Sequence, residues 1–409
     1  MTEPSPSSNN ETATNDKGES RTTVLSPGIV ESRNQTNRTQ ISTEIQDFLS
    51  GTTTTDGNGG ILASEYRTFF TIWMFITRLP SPSWVDLHPG YLMRGMVYFP
   101  IAGSVLGCMY AIVFDFVNVS LDLPPSIAAS FMVGMGLYMT GCFHEDGLAD
   151  SADGLGGGWS KSQVLKIMTD SRVGTFGCAA LGMFLLIKVQ LLGSVLGVSH
   201  WQLWNCSGGG PAIIVSQTVA RLSAPYLIRT RDYIAEVGPK SPFYVFMVEA
   251  KYLVSWGRLA IATSFSLALA CVMYGPIVST ALITVVLVVA HLMGNKGDYL
   301  LGGVMGDFLG STICVCEIAA LTFISAKNGI IATCLSIRDE LLFDSEEEGF
   351  FLLSNVYKNS SIRAVFHFVL LSLALKGWLT FVGPPDMYDR EDNKEDKDTE
   401  CNDNKEKEN

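Results

Sequence analysis

Charge is scarce in this chain, and positive charge scarcer still. Of 409 residues only 17% are charged, and Lys plus Arg number 28 against 40 Asp plus Glu. No basic stripe forms, so the footprint of a nucleic-acid-binding surface is missing and no nucleic-acid partner is expected. The nine cysteines include no C-x-x-C pair, and Cys178, Cys271, Cys314 and Cys316 fall inside apolar stretches. They read as small hydrophobes, favouring neither a zinc site nor a disulfide framework. Aromatics are nearly absent from residues 1–60, a Ser/Thr/Asn-rich tail, while residues 386–409 form an Asp/Glu/Lys run. Neither tail can bury enough apolar area to offset ordering entropy, so both are expected to be disordered. The first apolar span opens almost a hundred residues into the chain. No ordinary signal peptide is therefore expected, and scattered acids in the tail argue against an organellar transit peptide.

Apolar stretches are abundant in what remains. Runs long enough to cross a bilayer lie near 96–116, 126–143, 175–196, 210–228, 259–274, 276–293, 311–326 and 364–382. The expected fold is all-α, a polytopic membrane bundle of about seven or eight transmembrane helices with two disordered tails. Its organisation reads as a polar tail (1–60), a transmembrane catalytic core (61–326), an additional region with a final span (327–385) and a charged tail (386–409). The segment 66–76 is too short to stand upright in a bilayer and suits the interface. The segment 329–337 is also too short, which leaves the topology after residue 326 open. Counting spans in order puts the loops around 78–95, 144–174, 229–258 and 294–310 on one side. These hold Arg78, Arg94, Lys161, Lys166, Arg172, Arg229, Arg231, Lys240, Lys251, Arg258 and Lys296, whereas the opposite loops have no Lys or Arg. By the positive-inside rule the first set faces the cytoplasm or its organellar equivalent.

That side also carries the chemistry. Asp146, Asp150 and Asp153 stand at i, i+4 and i+7, within an arc of about 60° on a helix. Three carboxylates on one face repel unless a cation compensates. Hard oxygen ligands with room for phosphate suit Mg²⁺, or Mn²⁺, and all three are candidate metal ligands. Acids at a helix start, favoured by the macrodipole, are the plainer alternative. The glycine run Gly154, Gly156, Gly157 and Gly158 favours the metal–phosphate reading, because glycine lets backbone amides approach phosphate. Asp170 can add to a metal shell or accept a proton. Arg172 can fork onto phosphate, or simply anchor orientation. Asp307, between Gly302, Gly303, Gly306 and Gly310, is either catalytic or a helix cap. His144 is a candidate base or an interfacial histidine. Lys188 and Arg221 lie inside spans, where they either form an internal ion pair or meet an anionic substrate just below the surface.

These residues carry a family resemblance. Thr77-Arg78-Leu79-Pro80, Arg94 with Tyr98-Phe99-Pro100-Ile101-Ala102-Gly103, and the run from His144-Glu145-Asp146-Gly147 to Asp153-Gly154-Leu155 come first. Ile167-Met168-Thr169-Asp170-Ser171-Arg172-Val173-Gly174-Thr175-Phe176-Gly177, Lys188, Arg221, and Gly302-Gly303 with Gly306-Asp307-Phe308-Leu309-Gly310 follow. From about Phe70 to Leu321 the chain resembles cobalamin synthase, adenosylcobinamide-GDP ribazoletransferase. The resemblance implies that α-ribazole, or its 5′-phosphate, attacks the pyrophosphate of adenosylcobinamide-GDP, forming a phosphodiester and releasing GMP. From charge, Mg²⁺ is expected on Asp146, Asp150 and Asp153, the hydroxyl proton is expected to pass to Asp153, Asp170 or His144, and Asp307 is a further catalytic candidate. The candidate substrate contacts are Arg94, Arg172, Lys188, Arg221, Gly302, Gly303 and Gly306. The family usually has an apolar residue where Glu145 stands, and Tyr-Thr where Val304-Met305 stand. Glu145 adds charge beside the expected metal, and Val304-Met305 remove hydroxyl contacts.

Two other readings compete. A CDP-alcohol phosphotransferase also uses aspartates on membrane helices, but its pattern places Arg directly after the DGxxA segment, where this chain has Asp150. An ion-coupled transporter would place carboxylates at the midplane, whereas here they cluster at one face.

Overall fold

The computed structural model describes residues 60–195, 209–235, 241 and 243–343, together with positions 45, 46 and 48. Apart from those isolated positions and residue 60, the tails 1–60 and 386–409 lie outside the described residues, as does the expected span 364–382. The described residues are helical with no extended strand, as the apolar periodicity predicts. In chain order the helices are α1 (Gly60–Ile76), α2 (Pro89–Gly95), α3 (Phe99–Asp115), α4 (Pro125–Thr140), α5 (Phe143–Gly157), α6 (Lys161–Met168) and α7 (Thr175–Val195). After these come α8 (Gly209–Ala220), α9 (Ser223–Thr230), α10 (Phe243–Val248), α11 (Ala250–Leu253), α12 (Trp256–Tyr274), α13 (Pro276–Leu300) and α14 (Gly306–Phe343).

Among the described residues five helical stretches are long and apolar enough to cross a membrane: Pro89–Ser120, Thr175–Ser194, Trp256–Tyr274, Pro276–Leu300 and Gly306–Ala326. A sixth arises only if α4 and α5, bent by 89° at their junction, count as one broken span. We read α5 as lying across the bundle end, since a helix carrying Glu145, Asp146, Asp150 and Asp153 cannot sit in hydrocarbon. The expected span 210–228 is two shorter helices, α8 and α9, interrupted at Arg221 and Leu222. Helix α14 runs unbroken through 329–337 to Phe343, so that segment continues the last described span.

Six hydroxyl side chains inside these helices are satisfied locally. Thr218, Thr263, Ser266, Thr280, Thr284 and Thr312 each donate to the carbonyl four residues back, at 2.7–2.9 Å. That removes unpaired hydroxyls where no water is available. Small residues bring the bundle close: a Cβ on Gly103 would lie 2.4 Å from the Gln217 carbonyl, and one on Gly107 would lie 2.8 Å from the Ile214 Cα. Helix α3 therefore packs backbone to backbone on α8.

One end of the bundle gathers the polar segments. Helix α5 packs on α14 and α7, and a Cβ on Gly147 would meet the Asp307 carbonyl at 2.5 Å. Lys161, which opens α6, reaches over Gly302, whose Cβ would lie 2.2 Å from Nζ. The turn before α14 joins the segment after α9 through an isolated parallel bridge, Tyr233 to Val304. There the Val304 N–H donates to Asp232 at 2.9 Å and the Ile234 N–H to Val304 at 2.7 Å. The loops 144–174, 229–258 and 294–310 thus meet, as the charge pattern predicts.

Candidate active site

The acidic helix begins at an unusual turn. Gly141 (φ 67°) ends α4 and Cys142 (φ 61°) begins α5, both left-handed, and this pair makes the 89° bend. Glycine adopts such a φ freely; Cys142 does not. Glu145 and Asp146 occupy the first turn of α5, where the helix dipole favours them. The helix stops at Gly158, and α6 starts two residues after Trp159 with a reciprocal cap: the Gln163 N–H donates to Ser160 Oγ at 3.3 Å, and Gln163 Oε1 accepts the Trp159 N–H at 3.1 Å.

Along α5 the three aspartates separate into two kinds. Asp146 is exposed and Asp150 half-buried. Burial first, then the charges of Asp146 and Asp153, raise the Asp150 carboxyl to about 6. Asp153 is buried, 7% exposed, and its two oxygens accept the Gly174 N–H at 2.6 Å and the Gly177 N–H at 2.8 Å. A Cβ at either glycine would strike the carboxylate at 2.4 Å or less. Asp153 is thus the anchor that holds the start of α7 against α5. Among the described residues no three His, Cys, Asp or Glu side chains converge as a metal cage. Asp146 and Asp150 remain as an unneutralised pair one turn apart. That fits Mg²⁺, which takes one or two carboxylates and completes its shell with water and phosphate.

The other expected residues fall into three places. Asp307 opens α14 against Gly147, half-buried beside the acidic helix, with Gly306 next to it. Gly302 (φ 81°) and Gly303 (φ 156°) form the turn before α14. Asp170 and Arg172 find each other, Nη2 to Oδ2 at 2.6 Å. The hydrogen bonds from Arg172 hold Asp170 at about 2, a weak base at neutral pH.

His144, Lys188 and Arg221 lie deeper, in a buried polar chain. Lys188 Nζ pairs with Glu317 Oε1 at 2.9 Å, Gln217 donates to the same carboxylate, and Arg221 Nη1 donates to Gln217 Oε1 at 2.6 Å. Glu145 and His144 are buried next to this chain, within electrostatic reach of Lys188. Burial, then the charges of Arg221 and Lys188, hold the His144 imidazole well below its ordinary range, so it is a poor proton acceptor at neutral pH. Arg94 belongs to a separate cluster, where it and Arg258 share Glu65, with Tyr98 donating at 2.7 Å.

Sequence reasoning missed Glu317, Gln217 and Glu65. A carboxylate inside the apolar run 311–326 was a detectable signal, because a buried acid needs a cation and Lys188 and Arg221 were both available. Glu65 gave none, since its partners lie 29 and 193 residues away.

A family model described as cobalamin-5-phosphate synthase matches residues 68–325. Three relatives are named adenosylcobinamide-GDP ribazoletransferase. That of Shewanella oneidensis is 32% identical over 271 residues, 65% of this chain and 97% of the relative. That of Shewanella piezotolerans is 34% identical over 255 residues, 62% of this chain and 93% of the relative. That of Shewanella woodyi is 40% identical over 176 residues, 43% of this chain, and the match spans 65% of that relative's length. No solved structure matches the chain.

Proposed function

Because the chain belongs to the cobalamin-5-phosphate synthase family, we propose that it is an integral-membrane transferase that joins adenosylcobinamide-GDP to α-ribazole or its 5′-phosphate. A ribose hydroxyl attacks the phosphorus that bears the cobinamide, the bond to the bridging pyrophosphate oxygen breaks, and GMP leaves. The observation that carries the reading is the meeting of two acidic glycine segments at one bundle end, Gly147 of α5 on Asp307 of α14.

Asp146 and Asp150 would hold Mg²⁺ or Mn²⁺, which when bound neutralises pyrophosphate charge and stabilises the departing GMP. Asp153 keeps α7 and the Asp170–Arg172 loop in register with α5. Asp307 is the side chain we assign to receive the hydroxyl proton. It is half-buried where α14 meets the acidic helix, and Asp170 is held strongly acidic. Gly302 and Gly303 let the chain turn tightly beside Lys161, bringing a cation to the same end. Lys188 and Arg221 act from below by fixing α7, α8 and α14. The active face is cytoplasmic or its organellar equivalent, in keeping with the Lys/Arg loops.

The test uses isolated membranes that contain the full chain, supplied with adenosylcobinamide-GDP, Mg²⁺ and α-ribazole. GMP release that requires α-ribazole is the expected result. Inserted, intact protein that releases no GMP would overturn the assignment.

A further inference from the structure

We propose that Arg78 is the phosphate-binding cation of this site, gripping the pyrophosphate of the nucleotide substrate next to Asp146; this rests on the transferase reading above. Among the described side chains, Arg67, Arg94, Arg172, Arg231 and Arg258 each hold a carboxylate, and Arg221 and Arg229 each hold a carbonyl. The Arg78 guanidinium, exposed at the bundle end, holds neither, although its own backbone N–H is fixed to the Met139 carbonyl at 2.8 Å.

Its side chain is nonetheless not loose. The guanidinium lies against Gly141, where a Cβ would sit 2.3 Å from Nε, 2.8 Å from Cζ and 2.9 Å from Nη2. The left-handed glycine that bends α4 into α5 is therefore also the shelf for this arginine. The charges of Arg78 and Asp146 both act on the exposed thiol of Cys142, yet no ion pair joins them. A cation and a carboxylate that share one neighbourhood without pairing leave room for an anion and a divalent ion between them. The planar fork of an arginine matches two phosphate oxygens, and a guanidinium already resting against backbone loses little further freedom on binding.

Cys142 supplies a reporter that does not depend on turnover. With the full chain in phosphatidylcholine nanodiscs, maleimide labelling of Cys142 is followed by peptide mass spectrometry, with and without GDP and Mg²⁺. GDP should slow labelling several-fold in wild type, partly in Arg78→Lys and not at all in Arg78→Ala. In turnover assays Arg78→Ala should raise KM for adenosylcobinamide-GDP roughly 10- to 100-fold, the range of a lost charge-assisted contact, and leave KM for α-ribazole within about twofold. Comparable melting temperatures for the two variants and wild type show that the fold is intact. The proposal falls if Arg78→Ala keeps both GDP protection and KM. It also falls if protection follows added anionic lipid and not GDP, which would make Arg78 a headgroup anchor. GDP protection that depends on Arg78, in a protein that releases no GMP, would uphold this site while overturning the transferase reading.

Discussion

At the scale of single residues, the acidic helix shows how one spacing can present side chains that the fold engages differently, since Asp153 accepts two backbone N–H groups. Asp146, Asp150 and Asp153 share a face as their spacing requires, but only the first two keep their carboxylates available. Replacing either with Asn should lower GMP release by roughly 10²–10³-fold, the range for losing one electrostatic stabiliser of developing charge, with partial rescue by excess Mn²⁺. Unchanged turnover in both would remove the metal site. Glu65 allows a pH test. Burial pushes its carboxyl up, but hydrogen bonds from Arg258, Tyr98 and Arg94 outweigh burial and bring it from 4.5 to about 2. A depressed carboxyl contributes stability that is present above its unfolded value and lost as pH falls through the folded one. The melting temperature of Glu65→Gln should therefore lie below wild type at pH 7, and the gap should close as pH drops from 4.5 toward 2. A gap independent of pH would show that Glu65 acts by packing alone. The motif residues were legible because their chemistry is local, and Glu317 was readable as an acid inside an apolar run; Glu65 was not, because its partners Arg94 and Arg258 are distant in sequence.

At the scale of elements, apolar runs located α3, α7 and α12 to within about three residues, whereas α13 continues past the expected end at 293 to Leu300 and α14 opens before the expected start at 311, at Gly306. Length and hydropathy are what a bilayer selects. The misjudged elements have a common cause. The run 210–228 breaks where Arg221 must turn inward to Gln217, and the run 126–143 ends in a right-angle bend made by Gly141 and a left-handed Cys142. Gly141 is an ordinary helix stop, whereas nothing in a cysteine announces a positive φ. The Lys188–Glu317 pair ties α7 to α14 inside the bundle, with side chains 8% and 5% exposed. Lys188→Met or Glu317→Met alone should destabilise by about 3–5 kcal/mol, since each strands a buried charge. The double substitution Lys188→Met with Glu317→Met should recover much of that loss. Denaturation in mild detergent measures the cycle, and additive losses would mean that the two charges are not coupled.

For the whole molecule, the placement of the polar loops is the property on which the site depends. Gly147 on Asp307, Lys161 over Gly302 and Asp232 against Val304 bring segments separated by up to about 160 residues to one end. Such an end must face a single aqueous compartment, because charged loops do not cross hydrocarbon. The compartment with the Lys/Arg excess is the natural one. Single cysteines at Ser162 and Lys296, introduced into a chain whose native cysteines have been replaced, should be labelled by a membrane-impermeant maleimide from the same side. One at Asp122, in the turn between α3 and α4, should be labelled only from the other. The contrast does not depend on how many spans lie beyond residue 326, because all three positions precede it. Labelling of Ser162 and Lys296 from opposite sides would separate α5 from the α14 turn, and the assembly of Asp146, Asp150 and Asp307 into one site would fail with it.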